Sequence, residues 1–339
     1  DVKEGRFSPA VVYDGDTPVE YASVPLTCYE GKGYRRETFE SISTLLENYY
    51  ASRDTITRIR QKSSDLRRIV QTALERSCKK YDLQLKQLKD TEKREKYRIY
   101  GELLNTYGYE LKGGEKSFKC INYYDNEEIT IPLDPQLTAR ENAQKHFDKY
   151  NKLKRTFEAL TQLTDQTKAE IDHLESISSA LDIALAENDL VQIKEELMEF
   201  GYVKKRRANE KRPKITSKPF HYISSDGYDI FVGKNNYQNE ELTFKVASGN
   251  DWWFHAKGIP GSHAIVKSNG QADLPDRVFE EAGALAAYYS KGRENDKVEI
   301  DYIQKKNIKK VAGAAPGFVI YHTNYSLVAS PRCDLKEVK

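Results

Sequence analysis

Residues 250–267 read NDWWFHAKGIPGSHAIVK. Two short apolar runs, rich in aromatic and β-branched residues, flank a Pro-Gly pair, which is the pattern of two strands joined by a turn. Both tryptophans of the chain and two of its six histidines lie in this stretch. It therefore marks a compact C-terminal domain, and it raises the question whether this site catalyses a reaction, holds a metal or binds another molecule.

The sequence around this stretch predicts a domain over residues 219–339. FHYISSDGYDIFVG predicts two strands joined by an Asp-Gly turn, the strongest short hairpin signal. ELTFKVA, VEIDYIQ, KKNIKKVAG and GFVIYH have strand patterns, whereas DRVFEEAGALAAYYSK predicts a helix with alanine and glycine on one face. The predicted fold class is α+β.

Two long helices are predicted before this domain. Residues 49–105 contain no proline and form the first, with 15 basic and 8 acidic side chains, a net charge of +7. Residues 136–202 form the second, in which apolar positions follow a heptad alternation from Tyr150 to Leu185. Residues 106–135 between them have a Gly-Gly pair and β-branched residues, which predict a small β-hairpin unit. We expect an antiparallel coiled-coil arm with this unit at its tip, and an ordinary helical bundle is the alternative.

The remaining segments are short. Residues 1–48 read as strands and the start of a helix, which we interpret as the end of an N-terminal domain. The chain begins with Asp1 and its only methionine is Met198, so we expect a fragment of a longer protein. Residues 203–218 carry eight basic side chains and one acidic side chain, and are predicted to be a basic linker.

The composition restricts the class of protein. Hydrophobic residues make up 38% of the chain and charged residues 31%, which favours long solvated helices attached to at least one compact domain. The net charge is only +2, so binding to a nucleic acid requires local basic patches. The four cysteines form no C-x-x-C pair and are interpreted as reduced thiols of a cytoplasmic protein. No apolar run is long enough to cross a membrane, and no membrane partner is predicted.

A metal or catalytic site would have to use Asp251, His255 and His263. Their spacing, D-x3-H-x7-H, matches no metal motif with a known mechanism. The chain also contains no G-x-S-x-G elbow and no Walker loop. We therefore predict no enzyme activity, no metal and no cofactor.

Two interpretations of the stretch remain. In the structural one, Trp252 packs into the core on one face of a strand and the Pro-Gly pair is a hairpin turn, but the opposite face, with Trp253 and His255, stays unexplained. In the second, Trp and His side chains stack on RNA bases while lysines neutralise phosphates. The glycines of GAAPG at 313–317 would let a backbone approach closely. The residues predicted to contact RNA are Trp253, His255, Lys257, His263, Lys267, Lys305, Lys306, Lys309 and Lys310.

The motifs also resemble a known family. SSDGYDIFVGKNNYQNEELTFKVASGNDWWFHAKGIPGSHAIV, AGALAAYYSKGR, VEIDY and KKVAGAAPGFVIY are similar to the RNA-binding domain of the NFACT family. IPLDPQLTARENAQKHFDKYNKLKR resembles the start of that family's second coiled-coil helix, and PAVVYDGD the end of its N-terminal domain. The short length and the absence of acidic insertions favour the bacterial, fibronectin-binding protein A type.

The resemblance implies a ribosome-associated translation-rescue factor. Such proteins bind the large ribosomal subunit, through its rRNA and stalk-base protein, while it still holds a peptidyl-tRNA. They recruit charged tRNA, in bacteria tRNA for alanine, and direct untemplated alanine tailing of the nascent chain. The ribosome forms the peptide bonds, so the factor is not an enzyme. The family's N-terminal domain carries an Asp-Arg motif for tRNA recruitment, which is expected to lie outside this fragment, so we expect binding to RNA or ribosomes without tailing.

The resemblance also assigns shape residues. Gly227, Pro260 and Gly261 are expected to form turns, and Asp251 to orient a histidine or cap a turn. The full set of motif positions with a structural role is Asp226, Gly227, Asp251, Pro260, Gly261, Ser262, Pro316 and Gly317. Two alternative functions remain at this point: a fibronectin-binding surface adhesin, and a nucleic-acid-processing enzyme, because the family's N-terminal domain looks like that of DNA glycosylases.

Overall fold

The computed structural model of the protein describes residues 7–14, 17–206, 214–271 and 273–338. The chain divides into two compact units, one made of residues 1–74 and 172–339 and the other of residues 75–171. The fold is mixed α+β, as predicted from the sequence. Part of the predicted basic linker, residues 207–213, lies outside the described residues.

The described residues form the following elements. The helices are α1 (Ile42–Asp90), α2 (Arg94–Tyr107), α3 (Ala139–Ile183), α4 (Glu187–Glu199), α5 (Asn236–Glu241) and α6 (Asp276–Tyr288). The strands are β1 (Ala10–Asp14), β2 (Thr17–Ala22), β3 (Arg35–Thr38), β4 (Ser117–Asn122), β5 (Glu127–Pro132), β6 (Phe220–Ile223), β7 (Asp229–Val232), β8 (Trp252–Ala256), β9 (Ala264–Val266), β10 (Val298–Gln304), β11 (Lys309–Lys310), β12 (Val319–Ile320) and β13 (Tyr325–Ala329).

Each of the two predicted long helices is interrupted. The first begins seven residues before residue 49 and is broken by a 3-10 turn at Thr91–Lys93, where the Thr91 hydroxyl donates to the carbonyl of Leu88 at 2.5 Å. The second ends at Ile183, because the buried Asp189 carboxylate accepts from the backbone N–H groups of Leu185 and Ala186 at 3.1 and 3.0 Å. The heptad pattern through Leu185 did not reveal this cap.

In the unit of residues 75–171, α2 and the first part of α3 run antiparallel. Arg94 lies over the ring of Phe157, at 3.9 Å from its centroid, and Gly101 lies against the ring of Phe147. A Cβ at position 101 would stand 2.7 Å from the Phe147 ring, so glycine allows the two helices to approach closely. β4 and β5 form the hairpin predicted between the helices.

In the other unit, α1 and the last part of α3 are also antiparallel. Val70 of α1 lies in one buried cluster with Leu174, Ile177 and Leu181 of α3. Arg67 forms an ion pair with Asp182 at the rim of this cluster. The predicted 4-3 spacing of α3 therefore faces a helix of the same unit.

The C-terminal domain is built on a six-stranded antiparallel sheet with the order β13-β10-β8-β9-β7-β6. The Asp-Gly turn joins β6 to β7 as predicted, with Gly227 at φ +83° and its N–H donating to the carbonyl of Ser224 at 2.9 Å. α6 covers one face through small buried side chains, among them Ala282 and Ala286.

ELTFKVA is not a strand, contrary to the prediction. Asn235 caps α5 by accepting from the N–H of Gln238 at 3.0 Å, and the helical path continues as a π-type turn over Leu242–Val246. Leu242, Thr243 and Ala247 are buried, which is a helical rather than an alternating spacing. The cap determined the backbone here despite the β-branched content of the segment.

The segment after β10 is also less regular than predicted. KKNIKKVAG forms a 3-10 turn over Lys305–Asn307 and only the two-residue strand β11. β12 is the short remnant of the strand predicted in GFVIYH. β13 had not been predicted, and it forms one edge of the six-stranded sheet.

Polar side chains join α5 to the helices of the same unit. The amide of Asn236 donates to the carboxylate of Glu196 on α4 and to the hydroxyl of Ser176 on α3, each at 2.8 Å. Nε2 of the buried His173 lies 2.8 Å from the same Glu196 oxygen. These contacts orient the C-terminal domain on α3 and α4 by hydrogen bonding.

Candidate nucleic-acid interface

Both faces of β8 are covered by protein. Phe254 and Ala256 pack under α6 on one face, as the structural interpretation predicted. On the other face Trp253 packs against Ile303 and Ile308, and it is only 1% exposed. Trp253 therefore cannot stack on an RNA base in this structure, and the contact role predicted for it is corrected to a core-packing role.

His263 is buried next to Trp253. Thr243 holds it: the hydroxyl oxygen lies 2.7 Å from the His263 Nδ1 atom. The His263 backbone N–H donates to the side-chain oxygen of Asn239 at 3.0 Å. Burial, reinforced by the nearby His255, lowers the pKa of His263 well below its usual value. The predicted RNA contact by His263 is thus also corrected, because the ring is inaccessible and neutral.

His255 is half-buried and contacts both Trp253 and His263. Its ring stacks on Trp253 with centroids 5.6 Å apart and meets His263 edge-on at 5.5 Å. Burial lowers the pKa of His255 to about 4, so the imidazole is neutral near pH 7. It cannot neutralise a phosphate at that pH, and its predicted contact role is restricted to its partly exposed edge.

Asp251 caps turns and does not orient a histidine. Its carboxylate accepts from the backbone N–H groups of Ser248 at 2.7 Å and Ser268 at 2.9 Å, and it is ion-paired with Lys267. Burial would raise the pKa of Asp251, but Lys267 and these donors outweigh burial and lower it. Lys267 therefore holds β9 against the start of β8, and its charge is already balanced.

The turn after β8 is held by a close backbone contact. Gly261 forms an isolated bridge with Ser290, and a Cβ at position 261 would lie 2.9 Å from the Ser290 Cβ. Pro260 accepts from the N–H of Lys291 at 2.9 Å, and the Ser262 hydroxyl donates to the carbonyl of Gly233 at 2.5 Å. These contacts fix the backbone of the turn, and the shape role of the three motif residues stays a prediction.

The other motif positions are at loops. Asp226 is exposed in the β6–β7 turn. Pro316 is half-buried, and Gly317 has φ +81° and would place a Cβ 3.2 Å from the carbonyl oxygen of Asn236. Gly317 therefore permits a close approach between two parts of the protein, where the sequence had suggested an approach to a ligand.

The lysines predicted to contact RNA differ in whether an acidic side chain neutralises their charge. Lys257 is ion-paired with Glu299 at 2.5 Å, and Lys310 with Glu240 at 2.7 Å. Lys310 belongs to a group of four lysines near the end of β10. Within the part of the chain that the structure describes, the other three, Lys305, Lys306 and Lys309, form no ion pair with an acidic side chain. Lys306 and Lys309 are exposed. Among the lysines predicted to contact RNA, the charge that no acidic side chain balances therefore lies between residues 305 and 309.

Sequence reasoning missed two groups of residues. The first group includes Asn239 and Thr243, which cover the face of β8 that carries Trp253. The helix cap at Asn235 was the sequence signal that could have placed them in a helix. The second is an aromatic group at the sheet edge that includes Trp252 and Tyr325. Trp252 had been assigned to the core and β13 had not been predicted, so the sequence offered no reason to connect them.

The described residues offer neither a metal-binding cluster nor a membrane-spanning helix. No group of three or more His, Cys, Asp or Glu side chains there is arranged to hold a metal ion. No helix within residues 7–14, 17–206, 214–271 and 273–338 combines the length and apolarity needed to cross a membrane.

Comparisons with known proteins cover nearly the whole chain. Residues 1–216 match the family model of the NFACT N-terminal and middle domains, and residues 218–322 match that of the NFACT protein RNA binding domain. The Rqc2 homolog RqcH of Streptococcus suis is 42% identical over 95% of this chain and 57% of its own length. The Bacillus subtilis Rqc2 homolog RqcH is 36% identical over 98% of this chain and 58% of its length.

A solved structure agrees with these relatives. The C-terminal part of the fibronectin/fibrinogen-binding protein from Streptococcus suis has a TM-score of 0.63 and 38% identity, covering 82% of this chain and 97% of that one. Fold and matches together define a protein that joins long helices to an α+β domain of the RNA-binding type. The chain belongs to the NFACT family. It spans a little over half the length of the RqcH proteins it matches.

Proposed function

We propose that the protein is a ribosome quality control factor that binds large ribosomal subunits still carrying a peptidyl-tRNA. The observation that carries the proposal is the 42% identity to RqcH over 95% of the chain. In this proposal the protein works in the cytoplasm, in contact with rRNA, tRNA and the stalk-base protein. The match of residues 218–322 to an RNA-binding domain model supports an RNA ligand.

The lysines support the same ligand. Lys306 and Lys309 are exposed and lack an acidic partner among the described residues, so each can release a counterion when it meets a phosphate. Lys257 is equally exposed but is already paired with Glu299. It therefore serves as a matched control on the same domain.

The test is co-sedimentation of the protein with purified large ribosomal subunits across a salt series from about 50 to 200 mM. We expect binding to weaken with salt, and the slope of log affinity against log salt to fall by about one for each of Lys306→Ala and Lys309→Ala. Lys257→Ala should change the slope less. Trp253→Ala is unsuitable as a contact variant, because the ring is part of the core.

Two outcomes would contradict the proposal. One is no binding at the lowest salt concentration. The other is binding that does not respond to salt, since contacts with rRNA and tRNA are dominated by phosphates. A slope that is unchanged in both Lys306→Ala and Lys309→Ala would remove these two lysines from the interface while leaving ribosome binding in place.

We further propose that the recruited tRNA carries alanine and that the nascent chain is extended with alanine without a template. The ribosome would form the peptide bonds, so the protein would act by binding and would not be an enzyme. Large subunits holding a peptidyl-tRNA should then retain labelled alanyl-tRNA only when these residues are present together with the family's Asp-Arg motif for tRNA recruitment. Equal retention of a tRNA charged with another amino acid would contradict the choice of alanine. Turnover of a nucleic acid that is lost in His255→Ala would contradict the non-enzymatic role.

A second candidate function is fibronectin binding. It is favoured by one observation, the similarity to the Streptococcus suis fibronectin/fibrinogen-binding protein. The test is surface plasmon resonance with immobilised fibronectin, with an unrelated immobilised glycoprotein as the control. Saturable binding to fibronectin alone supports this function. Equal signals on both surfaces contradict it.

A further inference from the structure

Four aromatic side chains lie together at one edge of the six-stranded sheet, on the face that α6 covers. They are Trp252 on β8, Tyr302 on β10, Tyr325 on β13 and Phe279 on α6, and we name them the aromatic cluster. The ring centroids of Trp252 and Phe279 are 4.9 Å apart, and those of Phe279 and Tyr302 are 5.3 Å apart. The centroids of Trp252 and Tyr325 are 6.2 Å apart, so each ring has at least two of the others within reach.

Part of this cluster continues a stack that starts in the core. The ring of Phe254 stacks on Tyr302 at 5.5 Å and 15°, and Tyr302 stacks on Tyr325 at 5.4 Å and 27°. Along this stack Phe254 is 0% exposed and Tyr325 is 61% exposed. β13 is an edge strand of the sheet, so the stack ends on an aromatic ring that faces solvent.

Positive charge lies beside this end of the sheet. β10 ends at Gln304, which pairs with Trp252, and the 3-10 turn that follows contains Lys305 and Lys306. The Lys305 N–H donates to the carbonyl of Asp251 at 2.9 Å, so the turn is fastened next to the start of β8. An open aromatic stack next to unbalanced lysines is the combination that binds a single-stranded nucleic acid.

A purely structural role does not account for this arrangement. A ring that serves the core is buried, whereas most of the Tyr325 surface meets solvent. Val328 on the same strand is 64% exposed, and it belongs neither to the stack nor to the residues buried between the sheet and α6. Val328 is therefore a control position, because it is about as exposed as Tyr325 but carries no aromatic ring.

We propose that the aromatic cluster is a stacking site for an unpaired RNA base, with the base on the open side of Tyr325 and the adjoining phosphates at Lys305 and Lys306. The inference rests on the proposed function, since it takes RNA as the ligand, and it adds the kind of RNA and the residues that hold it. Every base has an aromatic face, so the site accepts any sequence but requires a base that is out of a duplex.

The test is the affinity of the full chain for a fluorescently labelled oligouridylate of about 12 nucleotides, measured by anisotropy at several salt concentrations. We expect Tyr325→Ala to weaken binding about tenfold without changing the salt slope, because stacking involves no phosphate. Tyr325→Phe and Val328→Ala should bind like the parent protein. Lys305→Ala combined with Lys306→Ala should instead lower the salt slope.

The outcomes separate this inference from the proposed function. Tyr325→Ala that binds as tightly as the parent, or an equal loss in Val328→Ala, refutes the stacking site. A loss that Tyr325→Phe shares refutes it too, because the ring is still present. A duplex of the same length should be insensitive to Tyr325→Ala. If the parent sediments with large subunits but ignores oligouridylate, the stacking site fails while the proposed function stands. If it binds neither, both fail.

Discussion

Acidification is expected to destabilise the C-terminal domain through His255 and His263. The pKa of His255 is lowered by burial from 6.5 to about 4 in the folded protein. Between these two values the unfolded chain binds a proton that the folded domain does not, so folding stability falls as the pH falls. The folding stability associated with the neutral His255 ring is fully present above about pH 6.5 and is lost progressively as the pH falls toward 4.

The size of the effect follows from the two pKa values. At about pH 5 the unfolded imidazole is almost fully protonated and the folded one is almost neutral, which gives a loss of about 2 kcal/mol relative to pH 7. His263 adds a loss of the same sign, because burial, reinforced by the nearby His255, also lowers its pKa well below the usual value. For a domain of ordinary stability such a loss is a large fraction of the total.

The assay is urea unfolding at about pH 7, 6 and 5, followed by tryptophan fluorescence. Trp252 and Trp253 are the only tryptophans of the chain, so the signal reports this domain and not the helices. The control is His255→Gln, which cannot take up the proton. Between pH 7 and pH 5 the unfolding free energy of the parent should fall by about 2 kcal/mol more than that of the variant. Parallel losses in both proteins would refute the reasoning.

Two further predictions concern the motif residues. Gly261→Ala should destabilise the domain by about 2 kcal/mol, because the new Cβ would lie 2.9 Å from that of Ser290. Gly249→Ala, whose Cβ would meet only an ordinary 3.7 Å contact, should be close to neutral in the same thermal melts. Asp251→Asn should lower stability by about 2 kcal/mol, because it weakens the caps and unbalances Lys267. A melting temperature equal to that of the parent would contradict either prediction.

Local signals determined the elements that the sequence predicted correctly. The Asp-Gly turn required a positive φ at Gly227, and this conformation is observed. The hairpin of β4 and β5 and the helix α6 likewise have their patterns within a few consecutive residues. Where a cap or a side-chain hydrogen bond competed with periodicity, as at Thr91 and Asp189, the sequence pattern overran the true helix end.

The site depended on contacts between distant segments. Alternation in β8 indicated that Trp253 lies opposite Trp252, but it could not show what covers each face. Packing by Leu242 from a helical turn and by Ile308 after β10 buried the face that had been assigned to RNA. The same packing lowered the histidine pKa values by removing water.

The sequence by itself determined the α+β class, the long helices, the β8–turn–β9 unit and the family, because local propensity and motif spacing encode them. Only the tertiary structure decided which aromatic rings are accessible. It buried Trp253 and left Tyr325 exposed on an edge strand. Burial is a property of segments far apart in the chain that come together on folding, and no pattern within either segment contains it.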